Sequence, residues 1–138
     1  MNRMVGICWF AALLVFGSAY TADAQAAAQK TIWDGVYTEA QATRGQRAAQ
    51  QNCGSCHAPS EWSSSSFLGA WAGKPVLGLH THIRTSMPFD SPGRLSAAQY
   101  SDIVAYMLKL NRAPAGQTEL PLDDAALGRI NVTRRAAR

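Results

Sequence analysis

Cys53-Gly54-Ser55-Cys56-His57 is a C-x-x-C-H run, and its spacing has a chemical reason. Two thiols three residues apart lie about one helical turn apart and project toward the same side. An imidazole follows at once. This is the attachment signature of a c-type haem. The thiols reach the two vinyl groups on one edge of the porphyrin, and the histidine Nε2 reaches the iron as proximal ligand. The motif therefore predicts one covalent haem c, bound by Cys53 and Cys56 and ligated by His57.

Two other readings of C-x-x-C are weaker. A structural zinc site needs four ligands. The only other cysteine is Cys8, in a segment expected to be removed, so His80 and His82 would have to complete the set. A thioredoxin-like dithiol belongs in a β-α-β setting, and no such pattern surrounds the motif.

The N-terminus supports the haem reading. Val5 to Ala19 is almost wholly apolar, Arg3 precedes it, and Ala22-Asp23-Ala24 and Ala24-Gln25-Ala26 are both A-x-A sites. This is the layout of a secretory signal peptide, with cleavage expected after Ala26. Export agrees with haem attachment outside the cytoplasmic membrane, so the location expected is the periplasm. After cleavage only Cys53 and Cys56 remain, and both are consumed by thioethers. The formal charge of the 138-residue chain is +4, and removing residues 1–26 takes away Arg3 and Asp23 and leaves it unchanged. Such a charge suits docking on an acidic protein surface. It is too weak and scattered for nucleic acid.

The expected organisation is a signal peptide over 1–26, a linker with an incoming strand over 27–36, a haem domain over 37–113, and a C-terminal extension over 114–138 ending in a basic tail. Thr38-x-x-Gln41 reads as a capping box opening a helix from Glu39 to about Asn52, which delivers Cys53 at its end. Gly45 costs that helix about 1 kcal/mol of propensity, so close approach of another helix is expected there. Pro59 breaks the chain, and a serine-rich loop over 61–66 follows. Ser66 is expected to cap a short helix over 67–72. Pro75 is expected as the first position of a helix running to about Arg84. Ser96-x-x-Gln99 is a second capping box before a helix over 97–110. There Tyr100, Ile103, Val104, Met107 and Leu108 form an apolar stripe of 3.6-residue period. A further turn or two is expected within 121–127.

The sixth iron ligand decides the chemistry. Met1 and Met4 leave with the signal, and Met107 lies on the apolar stripe, where methionine usually serves as core. Met87 stands in a loop with Pro88 behind it, and a following proline restricts a residue to extended backbone. Met87 is therefore the expected second ligand. His80 and His82 compete for that place. They are two apart on one helix and point to different faces, and each is expected at the surface or beside a propionate. Trp71 and Arg84 are candidate propionate partners.

These residues resemble those of class I bacterial cytochromes c. The resemblance runs from about Thr38 to Arg112 and rests on Cys53-Gly54-Ser55-Cys56-His57, Ser86-Met87-Pro88 and the aromatic-bearing last helix. It implies an all-α cytochrome c fold, with three main helices and short turns around the haem. It also implies a crossing of Gly45 with Tyr106 and Ile103. Thr38-Glu39-Ala40-Gln41-Ala42, Phe67-Leu68-x-x-Trp71-x-Gly73-Lys74 and Ile83 to Pro88 are similar to a subgroup that accompanies quinoprotein dehydrogenases. The function implied is one-electron transfer from such a dehydrogenase to an oxidase or another cytochrome. A haem enzyme (a peroxidase or sulfur-compound oxidase) with Met87 labile or absent from iron is the alternative, and a subunit tethered by an uncleaved N-terminus is a third reading. Two positions depart from the family pattern. Ala49 stands where an aromatic is usual. Pro59 lies too close to His57 for its carbonyl to orient the ring, so the group that orients His57 is left open.

Overall fold

Threonine or serine side chains open three of the six helices among the described residues. A computed structural model describes residues 29–135; the expected signal peptide lies outside them, as do the last three residues of the basic tail. The elements are β1 (Lys30–Thr31), α1 (Glu39–Asn52), α2 (Pro59–Trp62), α3 (Ser65–Trp71), α4 (Val76–Ser86), α5 (Ala97–Leu110), α6 (Asp124–Leu127) and β2 (Ile130–Asn131). The all-α cytochrome c fold expected from the sequence is the fold observed. Its three main helices are α1, α4 and α5.

Thr38 caps α1 by accepting from the Gln41 N–H at 3.1 Å. The reciprocal half of that capping box is absent. Gln41 is buried and instead grips Leu120, donating to its carbonyl at 3.2 Å and accepting from its N–H at 2.7 Å. The box at α5 is complete: Ser96 accepts from Gln99 N, and Gln99 accepts from Ser96 N. The cap of α3 is Ser64 rather than Ser66, because Ser64 Oγ accepts the Phe67 N–H at 3.1 Å. Pro75 is the residue before α4, not its first, and the helix runs on to Ser86. Part of the expected serine loop is helical, since Pro59 starts the single turn α2.

Helices α1 and α5 pack closely at Gly45. A Cβ added there would lie 1.8 Å from the Asp102 carbonyl oxygen and 3.0 Å from Ile103 N. The crossing therefore sits at Asp102–Ile103, one turn before Tyr106. Arg44 clamps the same place, with its Nε and Nη2 on the two Asp102 carboxylate oxygens at 2.9 and 3.0 Å and a further bond to Glu119.

The segments on either side of the helical domain join its core. Strands β1 and β2 pair in parallel, with Lys30 beside Ile130 and Thr31 beside Asn131. Ile32, Val36, Tyr37, Leu120, Leu127, Ile130 and Val132 belong to the same buried cluster as Ile103 and Val104. Gly35, at φ +64°, and Gly116 let the two segments touch, because a Cβ on Gly116 would meet the Gly35 carbonyl oxygen at 2.0 Å. Tyr37 donates its hydroxyl to Ala113 O at 2.6 Å, and burial, then Glu39, pushes its phenol up to about 12. Each of these contacts moves polar backbone onto a partner while apolar side chains leave water, the dominant favourable term in folding.

Candidate functional site

The C-terminal end of α1 delivers the first thiol. Cys53 N bonds Ala49 O, and Cys56 N and His57 N both bond Cys53 O. That turn brings both cysteines, as free thiols, and the imidazole onto one cavity of about 800 Å³. The same cavity is lined by Met87, Met107, Trp62, Phe67, Trp71, Leu79, Ile83, His82 and Arg94. A volume of this order with a mostly apolar wall and a few polar groups is what a cofactor site requires.

All four expected site residues, Cys53, Cys56, His57 and Met87, share this cavity. Met87 directly follows α4 with φ −131° and ψ 148°, the extended backbone that Pro88 demands. Its carbonyl accepts the Tyr100 hydroxyl at 2.9 Å, which ties the loop to α5. Met107 is 4 % exposed and so is core, yet it also reaches the cavity wall.

The two histidines of α4 do point to different faces. His82 lines the cavity and lies against Trp71, with ring centroids 5.6 Å apart. His80 is fully buried on the other face, edge-on to Tyr100, and corrects the expectation of a surface or propionate-side residue. Helix α4 packs against α5, α6 and β2, while His82 on its cavity side stays exposed. Neither His80 nitrogen has a hydrogen-bond partner among the described residues, and burial, then Arg84, holds its pKa below the usual value. No three His, Cys, Asp or Glu residues cluster for a metal ion among the described residues.

Trp71 lines the cavity, but Arg84 does not; its guanidinium lies 3.6 Å from Asp124. The cation at the cavity is Arg94, which donates to Asn52 Oδ1 at 3.2 Å. Burial raises the Cys53 thiol, and Arg94 opposes that rise. Sequence reasoning passed over Arg94, because it sits in a loop that carries no period.

The partner of His57 is a side chain. His57 Nδ1 lies 3.0 Å from Glu61 Oε2, while Glu61 Oε1 accepts the Ala58 N–H at 2.9 Å. The backbone bond, followed by that to His57, holds the Glu61 carboxyl below its usual range. The signal in the sequence was Pro59 with Glu61 two residues on, the first and third positions of a helix start.

The donor set fits a haem: two thiols, an imidazole and a thioether open on one apolar cavity, with a guanidinium beside it. Residues 40–107 match the family model described as cytochrome C oxidase, cbb3-type, subunit III. This stretch, just under half of the chain, is similar to a c-type cytochrome domain. Such a domain holds haem c and carries electrons. No curated protein and no solved structure matches this chain. No helix among its described residues is long and apolar enough to cross a membrane.

Proposed function

We propose that this cytochrome is a periplasmic one-electron carrier, with a single haem c attached through Cys53 and Cys56 and ligated by His57 and Met87. When bound, the haem supplies a one-electron iron couple, and a Met/His ligand pair raises its potential. The chain's own residues do the rest. Tyr100 and Pro88 hold the Met87 backbone in one conformation, so the thioether stays at a defined place. Trp62, Phe67, Trp71, Leu79, Ile83 and Met107 exclude water from the cavity. Arg94 places a positive charge beside it. With His57 and Met87 both holding the iron, the site would need little rearrangement when charge changes by one and would leave no position open for substrate.

The observation that carries this reading is Met87 sharing one cavity with the C-x-x-C-H residues. Export rests on the apolar run before Ala26 and its A-x-A sites. A quinoprotein dehydrogenase as electron donor rests on the three similar segments from Thr38, Phe67 and Ile83. An oxidase as acceptor is favoured by the name of the matching family, a subunit of an oxidase. The net charge of +4 suits acidic docking surfaces on either partner.

The test is the optical spectrum of the purified holoprotein in both redox states, extended into the near infrared. The expected result is a low-spin spectrum with the weak sulfur-to-iron charge-transfer band in the ferric form, lost in Met87→Ala. A low-spin spectrum without that band would transfer ligation to His82. A high-spin ferric spectrum would mean an open iron and would replace the carrier with a haem enzyme.

A further inference from the structure

The group that orients His57 is the carboxylate of Glu61, and its setting has consequences beyond orientation. Pro59 opens α2 where no N–H is needed. The third residue of that turn, Glu61, therefore reaches back over the helix start. One of its oxygens takes the Ala58 N–H at 2.9 Å, and the other meets His57 Nδ1 at 3.0 Å. The carboxylate is thus anchored by backbone before it meets the ring. The turn itself is pinned as well. Asn111, buried just past the end of α5, donates to Trp62 O at 2.6 Å and to Met107 O at 2.8 Å. Trp62 packs against the His57 ring at 5.7 Å between centroids. Two contacts of different kinds therefore hold the imidazole, and Asn111 pins the turn that supplies both.

We infer that Glu61 is a positioning residue for the haem iron, acting through His57 as a carboxylate–histidine pair. A carboxylate can only accept, so Nδ1 carries the proton and Nε2 keeps the lone pair that ligates. A carboxylate on the far nitrogen also makes the imidazole a more basic ligand than a backbone carbonyl would. A more basic ligand favours ferric over ferrous iron. Glu61 therefore offsets part of the rise in potential that Met87 brings. The Glu61 side chain is 53 % exposed and that of His57 32 %, so solvent screens the pair and moderates the effect.

The inference rests on His57 being an iron ligand. It is tested on the holoprotein with Glu61→Gln, which keeps an acceptor of the same shape and loses the charge, and with Glu61→Ala, which loses both. Glu119→Gln removes a carboxylate bonded to Arg44 and serves as the charge control. The readouts are the midpoint potential by redox titration and the NMR position of the His57 Nδ1 proton in the ferrous state. Glu61→Gln is expected to raise the potential and Glu61→Ala to raise it at least as far, with Glu119→Gln unchanged. The shift is expected to stay within a tenfold change in the ferric-to-ferrous preference, about 59 mV for one electron. The Nδ1 proton is expected to move upfield as its bond weakens. An unchanged or lowered potential in both Glu61 variants, with the Nδ1 proton unmoved, would overturn the role of Glu61 while the low-spin spectrum still upheld His57 and Met87. If His57→Ala retained the wild-type spectrum, the ligand assignment itself would fall, and this inference with it.

Discussion

Two glycine-to-alanine substitutions are predicted to change stability in opposite directions. Gly45 and Gly78 both lie inside helices, and in each helix alanine is intrinsically better by about 1 kcal/mol. At Gly45 the new methyl would sit 1.8 Å from the Asp102 carbonyl oxygen and 2.4 Å from its carbon. Contacts of this kind do not fall below 3.0 Å, so α1 and α5 must part by at least about 1.2 Å. The obstacle is backbone and cannot rotate away. A gap of about 0.5–1 Å already forfeits a quarter to a half of the dispersion attraction along a packed face. Overpacking of this kind costs about 1–3 kcal/mol and occasionally more. The Arg44–Asp102 pair beside it would be stretched too. Taking the upper part of that range and subtracting the helix gain, Gly45→Ala should lose about 2 kcal/mol. At Gly78 the nearest atom to a new methyl is a Trp71 ring carbon at 3.7 Å, an ordinary contact. Gly78→Ala should therefore gain up to about 1 kcal/mol. Guanidinium unfolding of the two holoproteins, followed by far-ultraviolet circular dichroism, measures the difference. Melting temperatures should separate by on the order of 10 °C. Gly45→Ala as stable as wild type would refute the close approach of α1 and α5. Equal destabilisation by both substitutions would show that the crossing is not what makes Gly45 necessary.

Gln41→Ala should cost about 2–4 kcal/mol, because it leaves both the N–H and the C=O of Leu120 without their partner; proteolysis should then begin in the segment after Ala113. Tyr100→Phe should cost about 1 kcal/mol through loss of the bond to Met87 O, and, with Met87 ligating iron as proposed, exogenous imidazole should bind the ferric holoprotein faster than in wild type by stopped-flow. His80 has a folded pKa below its ordinary 6.5, through burial and then Arg84, with Asp124 opposing. The unfolded chain therefore binds more protons, and the stability His80 contributes is complete above pH 6.5 and is lost as pH falls through its lower folded value. The unfolding midpoint of wild type should fall between pH 7 and 5 more steeply than that of His80→Phe, and parallel slopes would exclude His80 as the cause.

The haem motif, the two long helices and the extended Met87 were legible because each is written in neighbouring residues. Thiol spacing, an N-cap hydroxyl, an apolar period and a following proline act over a few bonds. The Ser96–Gln99 box formed as read. The identical pattern at Thr38–Gln41 formed only by half, since Leu120 presents both a donor and an acceptor to Gln41. Nothing within a few residues of Gln41 distinguishes the two cases. Serine repetition over 63–66 left several hydroxyls equally able to cap α3, and Ser64 won by two residues. Pro59 read as a break, because a turn as short as α2 has no apolar period to reveal it.

By itself the sequence determined a haem-binding, all-α cytochrome domain, the four residues expected to hold the cofactor, and the ends of α1 and α5 to within a residue. Tertiary structure alone decided that Arg94 and not Arg84 stands at the cavity. It also decided that His80 is buried without a hydrogen-bond partner among the described residues, that Gln41 turns to Leu120, and that the flanking segments close the core through β1 and β2. The division has a physical cause. Capping and covalent spacing are settled by atoms within one turn of chain. The fate of a polar side chain on a two-sided helix such as α4 depends on which elements, distant in sequence, arrive to cover each face.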